Sequence, residues 1–143
     1  MVPVIDGSTI AVVVPAFNEE RLIRTTVATI PEFVDRVFVI DDASTDGTAQ
    51  VVGSEEDPRI TLIRHEINTG VGGAIISGHR AALAAGIDIS AVMAGDAQIP
   101  PEYLHTMVRP LIANDADFTK GNRFFRADQP ILAEPMEWGL FGV

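Results

Sequence analysis

Short apolar runs alternate along the chain with segments of mixed polarity. The runs are rich in β-branched residues, which is typical of strands covered on both faces of a sheet. We therefore predict strands at these runs, with a fifth, less apolar segment as a further strand. The predicted strands are Thr9–Pro15, Arg36–Ile40, Ile60–Arg64, Ile89–Ala94 and Asp117–Lys120.

Capping and stop residues between the runs predict four helices. Asn18 is expected to cap the first helix and Gly86 to stop the third, while Pro100 or Pro101 suits the first turn of the fourth. The predicted helices are Glu19–Ile30, Thr48–Ser54, one that opens in the Gly-rich loop Asn68–Gly73 and ends near Ala85, and one that reaches Asn114. Strands that alternate with helices predict an α/β fold with a doubly wound, mainly parallel sheet and helices on both faces.

The composition limits the classes of partner. The chain has 143 residues, enough for one domain with a single core. Ten basic residues against twenty acidic ones give a net charge of −10, which disfavours binding to nucleic acid or to anionic lipid head groups. An anionic substrate would need a bound cation, a helix N-terminus or a few arginines. The absence of cysteine excludes disulfides and thiolate sites.

We expect neither a membrane-spanning segment nor an export signal in this sequence. No uncharged apolar run approaches the roughly 18 residues that a membrane-spanning helix needs. The first ten residues, MVPVIDGSTI, lack the basic and apolar regions of a secretory signal. We therefore expect a cytoplasmic protein, or one at the cytoplasmic face of a membrane if the chain is part of a longer protein.

Polar residues follow the predicted strands, at the sheet edge where open α/β sheets bind ligands. One class of ligand is disfavoured here. A dinucleotide-binding domain needs G-x-G-x-x-G directly after the first strand, whereas that turn has no glycine and holds Glu19, which would repel a pyrophosphate. The candidates at this edge are Pro15, Phe17, Glu19, Asp41, Asp42, His65, Asn68, Gly70, Asp96, Gln98, Asn122 and Arg123.

The pair Asp41 and Asp42 ends a buried strand. A carboxylate there can accept a hydrogen bond from a ribose hydroxyl or a base N–H. The alternative is that one of the two only caps the turn over residues 43–48. Asp46 precedes Gly47 and Thr48 and is expected to be a turn and helix-cap residue.

Glycines and histidines have less specific interpretations. The loop Asn68–Gly73 lets the backbone approach a ligand and aims a helix N-terminus at it. Tight packing of small residues between helix and sheet is the alternative explanation. The histidines show no paired spacing for a metal site and are expected to be solvent-facing or structural; they are His65, His79 and His105.

The stretch AVMAGDAQIPPEYL at residues 91–104 suggests a metal site. In extended backbone, residues 94, 96 and 98 share one face. Asp96 and Gln98 offer oxygen ligands there, and Ala94 leaves the third position without one. Mg²⁺ binds through one or two carboxylates plus substrate phosphates, so a diphosphate could complete the site. The alternative is that Asp96 and Gln98 only cap the helix that follows.

Five stretches together resemble the family 2 glycosyltransferases of GT-A fold, and among them the polyprenyl-phosphate (dolichol-phosphate-type) hexosyltransferases. They occur in the family's order and spacing and cover most of residues 10–125. The stretches are VVVPAFNEE (12–20), VIDDASTDGT (39–48), NTGVGGAIISGHRAAL (68–83), AGDAQIPPEYL (94–104) and KGNRF (120–124).

The resemblance implies a role for each matching residue. Pro15, Phe17 and Glu19 would hold the nucleoside, and Asp42 or its neighbour Asp41 would bind the base or ribose. Asp96 and Gln98 would bind Mg²⁺ or Mn²⁺ together with the diphosphate, and Arg123 would lie near the phosphates. Asp96 and Arg123 are thus the expected catalytic residues. The chain departs from the family at Ala94, where the family has an aspartate, and in residues 126–143.

The resemblance also implies an activity. It is transfer of a hexose from a UDP- or GDP-linked sugar to an acceptor, expected to be polyprenyl phosphate. Residues 1–125 would form the nucleotide-sugar-binding domain, and residues 126–143 a tail that begins a truncated acceptor-binding part. Membrane contact would come only through the acceptor or through the acceptor-binding part. Whether the protein forms a homodimer is left open by the resemblance. The alternatives are a non-catalytic nucleotide-sugar-binding domain or inactive fragment, and a soluble transferase with a saccharide or small-molecule acceptor.

Overall fold

Four parallel strands form the sheet in a computed structural model that describes residues 6–95 and 100–121. The strands are β1 (Ile10–Ala16), β2 (Arg36–Asp41), β3 (Ile60–Arg64) and β4 (Ile89–Val92). Their order is β3-β2-β1-β4, with β1 paired to β2 from Ala11↔Arg36 to Ala16↔Asp41. The predicted α/β class with a parallel sheet is confirmed. Ala16, the last residue of β1, lies beside Asp41, the last residue of β2, so the acidic pair lies next to the end of β1.

The central strand β1 is buried on both sides. Residues 10–14 have no exposed surface, which explains why the run lacks polar positions. One face of the sheet packs against the helix α3 (Gly70–Ala84) through small residues of that helix. The cluster on this face contains Ala11, Val13, Phe38, Ile40, Ala74 and Ala82.

The remaining helices are α1 (Ile23–Ala28), α2 (Thr48–Gly53) and α4 (Tyr103–Ile112). The bounds of α2 and α3 agree with the predictions to within about two residues, and Gly86, with a φ of +70°, follows the end of α3 as expected. The prediction that Asn18 caps α1 is wrong. Asn18 has a φ of +53°, and α1 begins only at Ile23 because the preceding residues bond to another loop.

Two further predictions differ from the structure, namely the end of the fourth strand and the existence of a fifth. β4 ends at Val92 rather than Ala94, although the amides of Met93 and Gly95 still donate to β1 carbonyls, 2.9 and 3.3 Å away. The fifth strand at Asp117–Lys120 is wrong, since these residues are not in a strand. Within that segment, the Thr119 hydroxyl donates instead to a carbonyl of α4, 2.8 Å away.

The chain divides into two compact units after Leu104. The first contains the whole sheet and α1 to α3, and the described part of the second runs from residue 105 to residue 121 and holds most of α4. The boundary expected at residue 125 lies outside the described residues. Within the described ranges, no helix is long and apolar enough to cross a membrane.

We predict that Gly78 is needed for the contact between α3 and β1. A β-carbon at Gly78 would overlap the side chain of Val13, so Gly78→Ala should lower the free energy of unfolding by about 1–3 kcal/mol. Gly72→Ala is the matched control, because a β-carbon there meets nothing within 4 Å. That helical substitution should stabilise the protein by up to about 1 kcal/mol. Urea unfolding measures both, and equal effects would contradict the packing argument.

Candidate nucleotide site

Three loops meet at the carboxyl edge of the sheet because the strands are parallel. They are the β1–α1 loop (residues 17–22), the β2–α2 loop (residues 42–47) and the β3–α3 loop (residues 65–69). Hydrogen bonds join the first loop to the second and the second to the third. The candidates in the described residues thus lie at one edge, as the sequence predicted. Asp96, Gln98, Asn122 and Arg123 lie outside the described residues.

The β1–α1 loop is fixed to the β2–α2 loop by hydrogen bonds in both directions. Three consecutive amides of the first loop donate to side chains of the second loop and of Thr48, the first residue of α2, so each of these amides has a protein partner. Two side chains of the first loop accept amides of the second. The donations are Asn18 N to Ser44 Oγ (3.0 Å), Glu19 N to Thr48 Oγ1 (2.9 Å), Glu20 N to Asp46 Oδ2 (3.2 Å), Thr45 N to Asn18 Oδ1 (2.9 Å) and Gly47 N to Glu20 Oε2 (3.1 Å).

Asp46 has the turn role that the sequence predicted. Its Oδ1 accepts the amide of Thr48 at 3.0 Å and also the Thr48 hydroxyl, and its Oδ2 accepts the Glu20 amide. Burial by itself would raise the pKa of Asp46, but these hydrogen bonds outweigh it and lower the pKa. Both of its oxygens therefore serve the turn and the neighbouring loop.

Asp41 lies at the last position of β2 and is fully buried. Its Oδ1 accepts the amide of Ser44 at 3.1 Å, so the turn-capping alternative holds for Asp41. Its Oδ2 lies 3.1 Å from Nε of Arg64, a side chain that is 57% exposed. That contact is an ion pair without hydrogen-bond geometry, which leaves Oδ2 a buried acceptor with no hydrogen bond. Asp41 therefore retains capacity to accept a donor.

Asp42 anchors the β3–α3 loop. Its Oδ1 accepts three hydrogen bonds: from Nδ1 of His65 at 2.7 Å, and from the amide and the hydroxyl of Thr69, each at 2.9 Å. Its main-chain carbonyl accepts Nδ2 of Asn68 at 3.0 Å. Burial would raise the pKa of Asp42, but the hydrogen bonds to the ionised form outweigh it and lower the pKa. Asp42 is therefore a carboxylate at neutral pH.

Two histidines form structural hydrogen bonds, as the sequence led us to expect. His65 connects Asp42 to α3, because its Nε2 lies 2.9 Å from the hydroxyl of Ser77. His79 lies on α3, with its Nδ1 2.7 Å from the hydroxyl of Ser90 in β4. Sequence reasoning missed the contact between His65 and Asp42. The positions of the two residues could have indicated this contact, because His65 directly follows β3 and Asp42 directly follows the neighbouring strand β2.

An open depression of about 590 Å³ lies beside the acidic pair. Its lining comes from the ends of β2 and β3 and includes a single guanidinium, that of Arg64; the lining residues are Ala43, Ser44, Arg64, His65 and Glu66. Ala43 reaches this position through a left-handed backbone with a φ of +61°. The depression is large enough to take part of a small ligand.

The other predicted binding residues occupy varied positions at this edge. Pro15 is half-buried in β1, and Phe17 is 47% exposed at the strand's end. Glu19 is half-buried, and its carbonyl accepts the amide of Ile23 at the start of α1. Asn68 and Gly70 are exposed, and the φ of +80° at Gly70 explains why glycine opens α3.

A metal site is not formed by the described residues alone. No group of three or more acidic or histidine side chains within residues 6–95 and 100–121 could hold an ion. The segment before Asp96 is nevertheless held at the end of β1. The amide of Gly95 donates to the carbonyl of Pro15 (3.3 Å), and the carbonyl of Gly95 accepts a hydrogen bond from the Thr26 hydroxyl (2.9 Å). Ala94 is half-buried there.

Comparison with characterised proteins points to transferases. The chain is 29% identical over 129 residues to the UDP-N-acetylglucosamine–dolichyl-phosphate N-acetylglucosaminyltransferase of Methanococcus voltae, with 80% of this chain and 51% of that protein covered. It is 31% identical over 115 residues to the undecaprenyl-phosphate mannosyltransferase of Micrococcus luteus, with 78% and 46% covered. The chain thus spans about half the length of the curated relatives it matches.

A similar solved structure is that of glucosyl-3-phosphoglycerate synthase from Mycobacterium tuberculosis in complex with Mn²⁺, UDP-glucose and phosphoglyceric acid. The TM-score is 0.62 at 26% identity, over 76% of this chain and 41% of that chain. Residues 11–139 also match the sequence model described as Glycosyl transferase family 2. With a GT-A-like fold and a family match over most of its length, the chain belongs to glycosyl transferase family 2.

Proposed function

We propose that this domain binds a UDP- or GDP-linked sugar and takes part in transfer of its hexose to polyprenyl phosphate. The observation that carries the proposal is the ionised, hydrogen-bonded Asp42 at the end of β2, beside an open depression. Relatives whose names include dolichyl phosphate and undecaprenyl phosphate support the acceptor class. Neighbouring structures that contain UDP support the donor class.

The nucleoside would bind at the ends of β1 and β2. The exposed ring of Phe17 offers a face for a base, next to Pro15 and Glu19. A base N–H or a ribose hydroxyl would donate to a carboxylate oxygen of Asp42, or to Oδ2 of Asp41, which is ion-paired with Arg64 but accepts no hydrogen bond. Asn68 and Gly70 would border the site on the β3–α3 side.

The diphosphate would need cations, because the edge is acidic. Arg64 is the single cationic residue among those that line the depression together with Glu66, and its guanidinium is already ion-paired with the buried carboxylate of Asp41. Asp96 and Gln98 would hold Mg²⁺ or Mn²⁺ with the diphosphate, and Arg123 would contact a phosphate group. When bound, the metal would neutralise charge on the leaving diphosphate.

The acceptor would not require a strong general base. By analogy with phosphate esters, whose second pKa is about 6, a lipid phosphate is already anionic at pH 7. Of the histidines, His65 is committed to Asp42 and Ser77, and His79 to Ser90. Catalysis would then rest on positioning and electrostatic stabilisation by the chain's residues.

A non-catalytic nucleotide-sugar-binding domain is the second candidate. One observation favours it: Ala94 stands where the family has an aspartate. A third candidate is transfer to a small or saccharide acceptor, which the likeness to glucosyl-3-phosphoglycerate synthase supports.

A transfer assay separates these candidates. We expect the 143-residue chain to bind the donor but to transfer slowly, because Ala94 leaves the proposed metal site without a third oxygen ligand. The chain would be incubated with a UDP- or GDP-sugar that carries a radiolabelled hexose and with either undecaprenyl phosphate or 3-phosphoglycerate as acceptor. A longer form of the chain would be assayed in parallel under the same conditions. Label in the lipid fraction supports the proposal, and label on the small acceptor supports the third candidate. Donor binding without transfer by either form supports the second, and no nucleotide binding would refute the donor site.

We predict that Asp42→Asn weakens the affinity for UDP or GDP at least tenfold, which corresponds to a loss of about 1.4 kcal/mol of binding free energy. Calorimetric titration with each nucleotide measures this. Asp88→Asn is the matched control. Asp88 also accepts an amide and a hydroxyl, both from Thr9, but lies at the opposite edge of the sheet. Equal affinities for wild type and Asp42→Asn would show that Asp42 is not the nucleoside-binding acid, and Asp41→Asn would then be tested.

The pH dependence of stability checks that the variant removes an ionised group. The pKa of Asp42 is lowered in the folded state, so its stabilising contribution is present above the unfolded pKa of about 3.9 and is lost as the pH falls through the folded pKa. The difference in unfolding free energy between wild type and Asp42→Asn should therefore be larger at pH 7 than at pH 3.

We predict that metal and nucleotide bind cooperatively. One aspartate and one amide make a poor site for a strongly hydrated ion, so Mn²⁺ affinity should be low until a diphosphate adds ligands. By linkage, each ligand must tighten the other by the same factor. Ala94→Asp should strengthen Mn²⁺ binding in the presence of UDP, since position 94 is only half-buried. Titrations of both forms with and without UDP would test this, and strong Mn²⁺ binding by wild type without UDP would contradict it.

A further inference from the structure

Three side chains form a continuous hydrogen-bonded row behind the depression. Oδ1 of Asp42 lies 2.7 Å from Nδ1 of His65, and Nε2 of His65 lies 2.9 Å from the hydroxyl of Ser77. The imidazole is largely buried, with 16% of its side chain exposed, and it forms part of the wall of the depression. The row therefore connects the candidate nucleoside site to the middle of α3.

The row assigns one tautomer to His65. An ionised carboxylate only accepts hydrogen bonds, so Nδ1 must carry the proton that points to Asp42. In the neutral ring Nε2 is then an acceptor, and the Ser77 hydroxyl donates to it; in the charged ring the same hydroxyl accepts. The Thr69 hydroxyl, 3.1 Å from Nδ1, directs its single proton to Asp42 instead.

The three donors on Oδ1 restrict how the carboxylate of Asp42 can rotate. The amide and hydroxyl of Thr69 come from the loop, whereas the Nδ1–H comes from a ring held at its far side by α3. The bonds from His65 and Thr69 all end on Oδ1, so they fix where Oδ2 points. A base N–H or ribose hydroxyl that reached Oδ2 would meet an acceptor whose direction is already set, which favours binding.

We propose that His65 is a positioning residue of the nucleotide site, whose Nδ1–H orients the Asp42 carboxylate for the nucleoside. This inference rests on the proposed function only in its last step, from the oriented carboxylate to the ligand. His65 itself need not touch the nucleotide. Its role is specific to the proton at the δ position, because Ser77 contacts the other end of the ring.

Two substitutions separate the ends of the ring. In His65→Asn the side-chain amide places an N–H as many bonds from the backbone as Nδ1, so the donor to Asp42 is kept and the contact with Ser77 is lost. In His65→Gln the amide matches the position of Nε2, so the contact with Ser77 is kept and the δ donor is lost. His79→Asn is the matched control, because His79, which lies on α3, also hydrogen-bonds a serine, Ser90 of β4, and does not contact Asp42.

The first measurement is the affinity for UDP and GDP by calorimetry. We expect His65→Asn and His79→Asn to remain within threefold of wild type and His65→Gln to bind at least tenfold more weakly. A purely structural role would lower unfolding stability in both His65 variants and would not separate their affinities. Equal affinities of His65→Asn and His65→Gln, whether lowered or unchanged, would overturn the proposal.

The second measurement needs no nucleotide. Long-range ¹H–¹⁵N spectra of the wild type should show the Nδ1–H tautomer of His65, and ¹³C titration should show the carboxylate of Asp42 protonating at higher pH in His65→Gln than in wild type or His65→Asn. An Nε2–H tautomer, or an unchanged Asp42 titration in His65→Gln, would overturn the positioning role. If the wild type binds neither nucleotide while these spectra agree with expectation, the proposed function fails and the orientation of Asp42 by His65 stands.

Discussion

The ionised carboxylate of Asp42 is the group on which the carboxyl edge of the sheet depends. A buried charge is costly unless hydrogen bonds replace its water. Three donors on one oxygen do so here, and they come from His65 and Thr69 on the β3–α3 loop. The same bonds that keep Asp42 ionised therefore determine where this loop and the start of α3 lie.

The neighbouring β1–α1 loop is held by a separate set of bonds. Its amides at residues 18–20 donate to Ser44, Thr48 and Asp46, so its conformation is set by the β2–α2 loop rather than by helix formation. This arrangement leaves Phe17 exposed at the end of β1. Both loops thus take their positions from the segment that follows β2, and a ligand at this edge would meet preformed walls.

Much of the edge was predictable because its signals are local. The β-branched runs identified the four strands, and a parallel sheet brings the ends of such strands together, so the placement of Asp41, Asp42 and Asn68 followed from topology. The turn role of Asp46 followed from its position before Gly47. The prediction for Asn18 failed because an asparagine before a polar stretch is a sound N-cap signal, and nothing local shows that Thr45 would bind its side chain.

By itself the sequence determined the fold class, the positions of the four strands of the sheet and the family, because apolar periodicity and motif spacing are properties of neighbouring residues. Only the tertiary structure decided how the two adjacent aspartates differ. Asp41 caps a turn and faces Arg64, whereas Asp42 accepts hydrogen bonds from His65 and Thr69. Adjacent residues in extended backbone point to opposite sides, so their environments depend on which loops pack on each side. Apart from the cap of Asp41 on Ser44, those contacts join residues more than twenty positions apart, such as Asp42 and His65, and they exist only once the strands have paired.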